Sequence, residues 1–306
     1  MTTTPLPILR SILAVPASNP RMIAKSLTTD ADAILFDLED AVAPAEKTSA
    51  RADLVETLAA LPPTNKTICV RINAVDTPYF HRDVAVIAGQ AGARLDVIVL
   101  PKALGPGDIA AVDRLLTSVE LDAGRQTGGI RLHSIVETPA GLQNVDTLAA
   151  ASPRLSGLVF GPGDFSAGMR MPAASIGSLE GDAYLGHRYH YPMSRVAVAA
   201  RAAGIAPIDG PIADFRDLDL VRRSARIARS LGFEGKWCIH PNQIAIVNEV
   251  FTPTPDEIAW AEGIVTAWNA AAEQGAGAAA VDDKMIDLAT LRMAESLLEV
   301  ASRARA

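Results

Sequence analysis

Apolar runs that stop abruptly at a charged residue, or at Pro and Gly, recur along the chain and set its architecture. Residues 9–16, 33–40, 67–73 and 95–102 are short, aliphatic and bounded by breakers, the pattern of strands buried on both faces. Two later runs organise the rest. The first, His133-Ser-Ile-Val-Glu-Thr-Pro-Ala-Gly141, stops at Glu137, and the second, Leu158-Val-Phe-Gly-Pro-Gly-Asp-Phe165, stops at Asp164. Their spacing leaves room for one helix, so the two strands are expected to be parallel neighbours with both carboxylates at one end. Two carboxylates at one rim suit a hard divalent cation such as magnesium. The plainer reading is that each caps a helix or pairs with Lys or Arg. Residues 206–210 and 236–241 read as the seventh and eighth strands.

Helical patterns fill the gaps. Ser18-Asn19-Pro20 offers a cap with Pro in the opening turn, and helices are expected over 44–61, 79–91, 107–122, 193–204 and 217–232. Eight alternations with crossovers of this length predict a (β/α)8 TIM barrel. A doubly wound sheet is the alternative, weakened by the count of eight and by the absence of Gly-x-Gly-x-x-Gly after the first strand. Barrel sites sit at strand ends. There the chain places Asp37, Glu39 and Asp40, then Arg71 and Asn73, Lys102, Glu137, Asp164, Asp209 and His240. One rim thus gathers several acids around an Arg and a Lys, and this is the strongest functional signal in the sequence.

Residues 1–250 make up this barrel domain, and 251–306 a C-terminal helical extension. The extension reads as a helix over 255–272, a small-residue linker over 274–280, a segment 281–287, and a final helix over 288–303. Leu291, Met293, Leu297 and Leu298 form an apolar stripe on that last helix and need a surface to bury it. The long stretch 166–192, rich in Gly, Ser and Pro, reads as a lid or binding loop.

Composition narrows the function. Hydrophobic residues are 49% and charged residues 21% of 306, enough for a large core. A net charge of −7 argues against a nucleic-acid footprint. No apolar run approaches the roughly 20 residues of a membrane span, and the first residues lack a signal-peptide pattern. The two cysteines, Cys69 and Cys238, fall in predicted strands as buried thiols. These features predict a cytoplasmic protein. His187 and His190 lack a third soft ligand and read as a solvated loop. Lys102 could form a Schiff base, but an acid-rich rim would keep it charged, so an ionic contact is the expectation. Arg222, Arg223, Arg226 and Arg229 recur at helical spacing as a solvated face. His240, before Pro241, reads as a satisfied strand-end histidine.

Taken together, Arg10-Ser11 with Pro16, Asp37-Leu-Glu-Asp-Ala-Val42 with Lys47, Val70-Arg-Ile-Asn73, Pro101-Lys102, Val136-Glu-Thr-Pro-Ala140, Gly161-Pro-Gly-Asp164, Gly235-Lys-Trp-Cys-Ile-His-Pro241 and Met285-Ile-Asp287 resemble the citrate lyase β-subunit-like (HpcH/HpaI superfamily) CoA-ester lyases. The segment Ile208-Asp-Gly-Pro211, the Gly-Lys-Trp stretch and the tail look nearest to malyl-CoA and β-methylmalyl-CoA lyases. The resemblance implies magnesium, with manganese able to substitute, on Glu137 and Asp164. It implies that Arg71 binds the keto-acid portion and that Asp287, from a neighbouring subunit of a homotrimer or homohexamer, is the acid/base. Glu39 and Asp40 would orient the ligands, and Arg10, Lys25 and Lys102 would contact substrate or CoA. Asn19, Ala14 and the Gly161-Pro162-Gly163 run depart from the pattern of close malyl-CoA lyases.

The implied reaction is magnesium-dependent cleavage, or formation, of a β-hydroxyacyl-CoA such as malyl-CoA, β-methylmalyl-CoA or citramalyl-CoA. Its products are an acyl-CoA and a 2-oxo acid. Two enzymatic rivals share the site: a malyl-CoA thioesterase, and a citrate lyase β subunit acting on an acyl-carrier-protein thioester. A retained barrel serving as a binding protein is the rival outside enzymes.

Overall fold

The computed structural model describes residues 7–172, 176–177, 187–273, 279–281 and 284–305. The chain forms two compact units, Met1–Asn248 and Glu249–Ala306. The first is a closed barrel of eight parallel strands: β1 (Ser11–Pro16), β2 (Ala33–Asp37), β3 (Thr67–Arg71), β4 (Val97–Leu100), β5 (Arg131–Val136), β6 (Leu155–Phe160), β7 (Ala206–Asp209) and β8 (Gly235–Cys238). β1 pairs with both β2 and β8, which closes the sheet and excludes the open doubly wound alternative.

Period-two alternation sends every other strand residue into the lumen. Leu35, Cys69, Val97, Val99, Ile135, Val159, Ile208 and Trp237 form one buried cluster there. Continuing the same parity upward brings Asp37, Arg71 and Glu137 to the top of that column. The site is therefore the polar cap of an apolar lumen.

Several element ends differ from the apolar runs, each for a local reason. β2 stops at Asp37 because that carboxylate accepts the backbone N–H of Glu39 (2.8 Å) and of Ala41 (3.2 Å), turning the chain. β8 stops at Cys238; the Gln243 side chain accepts the amides of Ile239 (2.8 Å) and His240 (3.3 Å). Two short helices, Pro139–Gln143 and Val145–Ala149, replace the one expected between β5 and β6. Thr138 caps the first by accepting the Gly141 N–H at 2.9 Å. The helix expected over 79–91 contains a π-helical stretch, Val84–Ala88, between Phe80–Asp83 and Gly89–Ala91. The start of the stretch read as irregular is instead a helix, Pro162–Gly168, with Asp164 in its first turn. Residues 173–175 and 178–186 of the expected lid lie outside the described residues.

The second unit packs helix Pro255–Glu273 against helix Leu288–Arg305. An antiparallel pair, β9 (Ala279–Val281) and β10 (Lys284–Ile286), lies between them in sequence. Part of the expected linker is thus strand, and its residues 274–278 lie outside the described ones. Ala261, Ile264, Ile286 and Ala294 form the core, with Leu297 and Leu298 against it. Of the apolar stripe, Leu291 is thus buried and Leu297 and Leu298 are half-buried within their own unit, while Met293 is 65% exposed. Both thiols are buried, and burial pushes them up. Among the described residues no helix is long and apolar enough to cross a membrane.

His133 shares the lumen face of β5 with Ile135, packed so closely on Gly157 that a Cβ there would lie 2.9 Å from the ring. Burial, with Arg131 adding, pushes its pKa down to about 4. The imidazole therefore stays neutral in the fold while the unfolded chain takes up a proton below pH 6.5. Stability is full above that value and is lost as pH falls toward 4. Between pH 7 and 5, the native protein should lose about 2 kcal/mol more than a His133→Leu variant. Urea midpoints at the two pH values measure this difference, and equal losses would refute it.

Candidate active site

The centre of the rim is a buried guanidinium. Arg71 donates from Nε to Asp37 Oδ1 at 2.7 Å and from Nη2 to Asp37 Oδ2 at 2.5 Å, the two-pronged geometry that fixes a guanidinium's plane. Its Nη1 lies 3.0 Å from Glu39 Oε2 and 3.7 Å from Asp40 Oδ2, and its charge stands 5.8 Å over the Trp237 ring. Burial works against that charge, but Asp37, Glu39 and Glu137 more than offset it, so the pKa is raised and Arg71 stays cationic.

Lys102 links the other acids. It follows β4 with φ of +53°, a left-handed backbone costing a side-chain-bearing residue about 1–2 kcal/mol. That turn aims its own N–H at Glu137 Oε1, 2.8 Å away. Its ammonium donates to Glu39 Oε1 at 2.5 Å and Asp40 Oδ1 at 3.3 Å, and lies 3.7 Å from Asp164 Oδ2. Burial would lower its pKa, but the bond to Glu39 and the charges of Asp40 and Asp164 raise it instead. Those acids favour the ammonium form over the free amine a Schiff base needs.

The carboxylates respond to crowding. Burial pushes Glu137 up to about 8, with Asp164 and Glu39 adding and Arg71 opposing. Burial also raises Glu39 against Arg71 and Lys102. Asp40 is burdened by burial too, but Arg71, Glu39 and Lys102 together lower it. Five acids, the buried Asp37, Glu39 and Glu137 with the more exposed Asp40 and Asp164, thus surround two cations, and a further cation would favour the ionised form of Glu137 against its burial. Glu39 Oε2 is buried without a hydrogen bond, its 3.0 Å contact with Arg71 being ionic only. Among the described residues no three His, Cys, Asp or Glu groups converge as a closed metal cage. The donor set instead fits magnesium, which takes one or two protein carboxylates and leaves its other positions to water and substrate.

Close backbone approach holds these groups in place. A Cβ on Gly161 would lie 2.5 Å from Glu137 Cβ and 2.7 Å from its Oε2. Lys47, buried, donates to the carbonyls of Leu38 and Glu39, both at 2.9 Å. Asn73 does not face the site; it donates to Asp83 Oδ2 (2.6 Å), and Asp83 is paired with buried Arg51 at 2.7 Å. Above these residues opens a cavity of about 470 Å³, whose lining includes Asp37, Asp40, Arg71, Glu137 and Asp164 beside Ala14, Met22, Val159, Pro162 and Trp237. That volume suits a small-molecule substrate.

The remaining candidates are placed differently. Arg10 is a correction. It precedes β1, at the mouth opposite the rim, where it forks onto Asp32 at 2.9 and 2.8 Å, so it cannot reach a ligand at the strand ends. Lys25 is exposed on helix Pro20–Ser26, one turn beyond the cavity-lining Met22. Asn19 caps that helix, accepting the Met22 N–H at 3.1 Å. Asp287 belongs to the second unit, where its Oδ1 accepts the N–H (2.8 Å) and Oγ1–H (2.9 Å) of Thr290. Those bonds cap the last helix and hold its carboxyl below the usual range. Asp209 pairs with Lys236 outside the cavity lining, and His240 stacks on Phe215 at 4.6 Å. His187 is buried rather than solvated, accepting the Tyr189 N–H at 3.3 Å. The Asp37 clamp on Arg71 went unassigned in the sequence, although its position one strand away at the same height was the available signal.

Fold and site together define a (β/α)8 barrel with an acid-rich cavity at the C-terminal ends of its strands. The chain matches the HpcH/HpaI aldolase/citrate lyase family over residues 10–241 and belongs to it. It is 39% identical over 294 residues to an L-malyl-CoA/beta-methylmalyl-CoA lyase of Cereibacter sphaeroides, covering 94% of this chain and 92% of that protein. It is 32% identical over 299 residues to a citrate lyase subunit beta of Leuconostoc mesenteroides subsp. cremoris, covering 96% and 93%. The crystal structure of CitE from Mycobacterium tuberculosis in complex with magnesium, acetoacetate and coenzyme A superposes with a TM-score of 0.76. That pair is 29% identical, over 96% of this chain and 98% of that one.

Gly161→Ala should leave the barrel folded yet displace Glu137, because no nearby atom on that side can yield without moving the carboxylate. Activity should fall on the order of a hundredfold with the thermal midpoint within a few degrees of the parent. Unchanged turnover would show that Glu137 tolerates displacement.

Proposed function

We propose that this protein is a magnesium-dependent lyase acting between Cα and Cβ of a β-hydroxyacyl-CoA, in either direction. Malyl-CoA, β-methylmalyl-CoA and citramalyl-CoA are the substrates in view, with acetyl-CoA or propionyl-CoA and a 2-oxo acid such as glyoxylate or pyruvate as products. The carrying observation is the rim itself: five carboxylates around Lys102 and one immobilised guanidinium, in a chain whose relatives are named as CoA-ester lyases.

Glu137 and Asp164 would hold the magnesium, and manganese is expected to substitute. When bound, the ion supplies a Lewis acid and a template for the 2-oxo acid portion. Arg71 presents a fixed positive charge where oxyanion character develops, and its plane is set in advance by Asp37, so little reorganisation is needed. Glu39 and Asp40 steady Arg71 and Lys102, while Lys25, exposed on the helix after β1, would contact the CoA portion. Asp287, contributed by a neighbouring subunit of a homotrimer or homohexamer, would accept the hydroxyl proton during cleavage. In condensation it would remove a proton from the acyl-CoA. Its lowered pKa keeps it ionised, as a proton acceptor must be.

Incubation with malyl-CoA and citramalyl-CoA, following keto acid and free thiol separately, tests the reaction. Keto acid without thiol is expected; thiol release without keto acid would make the protein a thioesterase. EDTA should abolish turnover, and magnesium or manganese should restore it. Glu137→Ala and Asp164→Ala should each match the stripped protein while staying folded. Full activity in EDTA would sink the metal reading.

Asp287→Asn keeps an oxygen acceptor for Thr290 and hence the helix cap, while removing the carboxylate. It should be nearly inactive alone, as should Glu137→Ala, but mixed oligomers of the two should regain activity. Mixed oligomers that form and stay silent would place Asp287 in cis or outside the reaction.

A further inference from the structure

Lys236 and Asp209 are buried to 2% and 4% exposure, and neither lines the cavity. Their side chains alternate away from the lumen-facing Ile208 and Trp237, so they lie on the outer face of β7 and β8. Lys236 Nζ donates to Asp209 Oδ2 at 2.5 Å and to the Gly210 carbonyl at 2.6 Å. A buried ion pair adds little net stability over apolar side chains of similar size, so its cost asks for another explanation. Gly210 supplies one. A Cβ there would lie 2.3 Å from the Phe160 carbonyl and 2.5 Å from Pro162 Cδ. The end of β7 is thus pressed against the turn that leads from β6 to Asp164. The same turn carries Gly161, which abuts Glu137.

We propose that the Lys236–Asp209 pair is a positioning strut: by holding the Gly210 carbonyl it seats β7 against the 160–164 turn and so fixes Asp164 and Glu137. The proposal rests on the reading of those two carboxylates as the metal pair. The contacts are contiguous from Lys236 to Gly210, from Gly210 to Phe160 and Pro162, and from Gly161 to Glu137. Asp209 holds the ammonium in the orientation that reaches the carbonyl, so neither partner performs the role alone.

Lys236→Met alone leaves the Asp209 carboxylate buried and unpaired and can fail to fold. Lys236→Met with Asp209→Asn removes both charges and leaves Gly210 unheld, and is the working variant. Amide exchange of Gly161 and Phe165, whose N–H groups donate to the Val136 and Gly161 carbonyls, should quicken in it, while the N-terminal ends of the strands keep the parent's protection. Manganese binding without substrate, read by electron paramagnetic resonance, should weaken about 10–100-fold. Turnover should fall while KM for the CoA thioester stays near the parent's. Parent-like exchange at these two amides would overturn the strut. Quickened exchange with unchanged manganese affinity and turnover would overturn its positioning role. Quickened exchange in a protein whose parent form binds no manganese would leave the strut standing and remove the metal reading instead.

Discussion

A guanidinium taken out of water can stay charged only if carboxylates accompany it, and Arg71 makes that demand at the centre of the barrel mouth. Asp37 answers it from the neighbouring strand at the same height, register partner to register partner. Glu39 answers from the turn that Asp37 itself creates by accepting two backbone amides. Glu39 then requires Lys102. Each charge is thus the reason for the next, and breaking one pair would strand its partner at several kcal/mol. The cascade ends with more acid than base, and that imbalance makes the rim receptive to a cation.

The backbone takes part as directly as the side chains. Lys102 adopts a conformation that costs energy and thereby points its amide at Glu137. Gly161 and Gly210 allow main-chain approaches that any side chain would block. At the rim, the loops after β4, β6 and β7 each carry such strain or close approach, where geometry must be fixed to fractions of an ångström.

Much of this was legible in the chain because burial and punctuation coincide. Runs ending in Glu137, Lys102 and Asp37 read as strand ends since an apolar stretch cannot continue through a charge, and the barrel follows from their number. Asp164 was legible as a rim acid, though the helix beneath it was not; Gly-Pro-Gly signals a break, and Pro at a first turn is ambiguous between loop and helix. Arg10 misled because its assignment came from a motif rather than from a strand end; it precedes β1 and lies at the other mouth. The grip of Asp37 on Arg71 depends on register, which no single stretch encodes. The stripe on the last helix was visible, but not that Leu297 and Leu298 would pack against a core shared with helix Pro255–Glu273.

The two mouths of the barrel are separated by a lumen filled with aliphatic side chains and Trp237. The far mouth has its own charged ties, Arg10 with Asp32 and Arg154 with Asp113 and Glu120. Sites that share no partner contribute to stability almost independently. Selection, or an engineer, can therefore harden this protein against heat at one end while reshaping its chemistry at the other, and neither change need be paid back by its opposite.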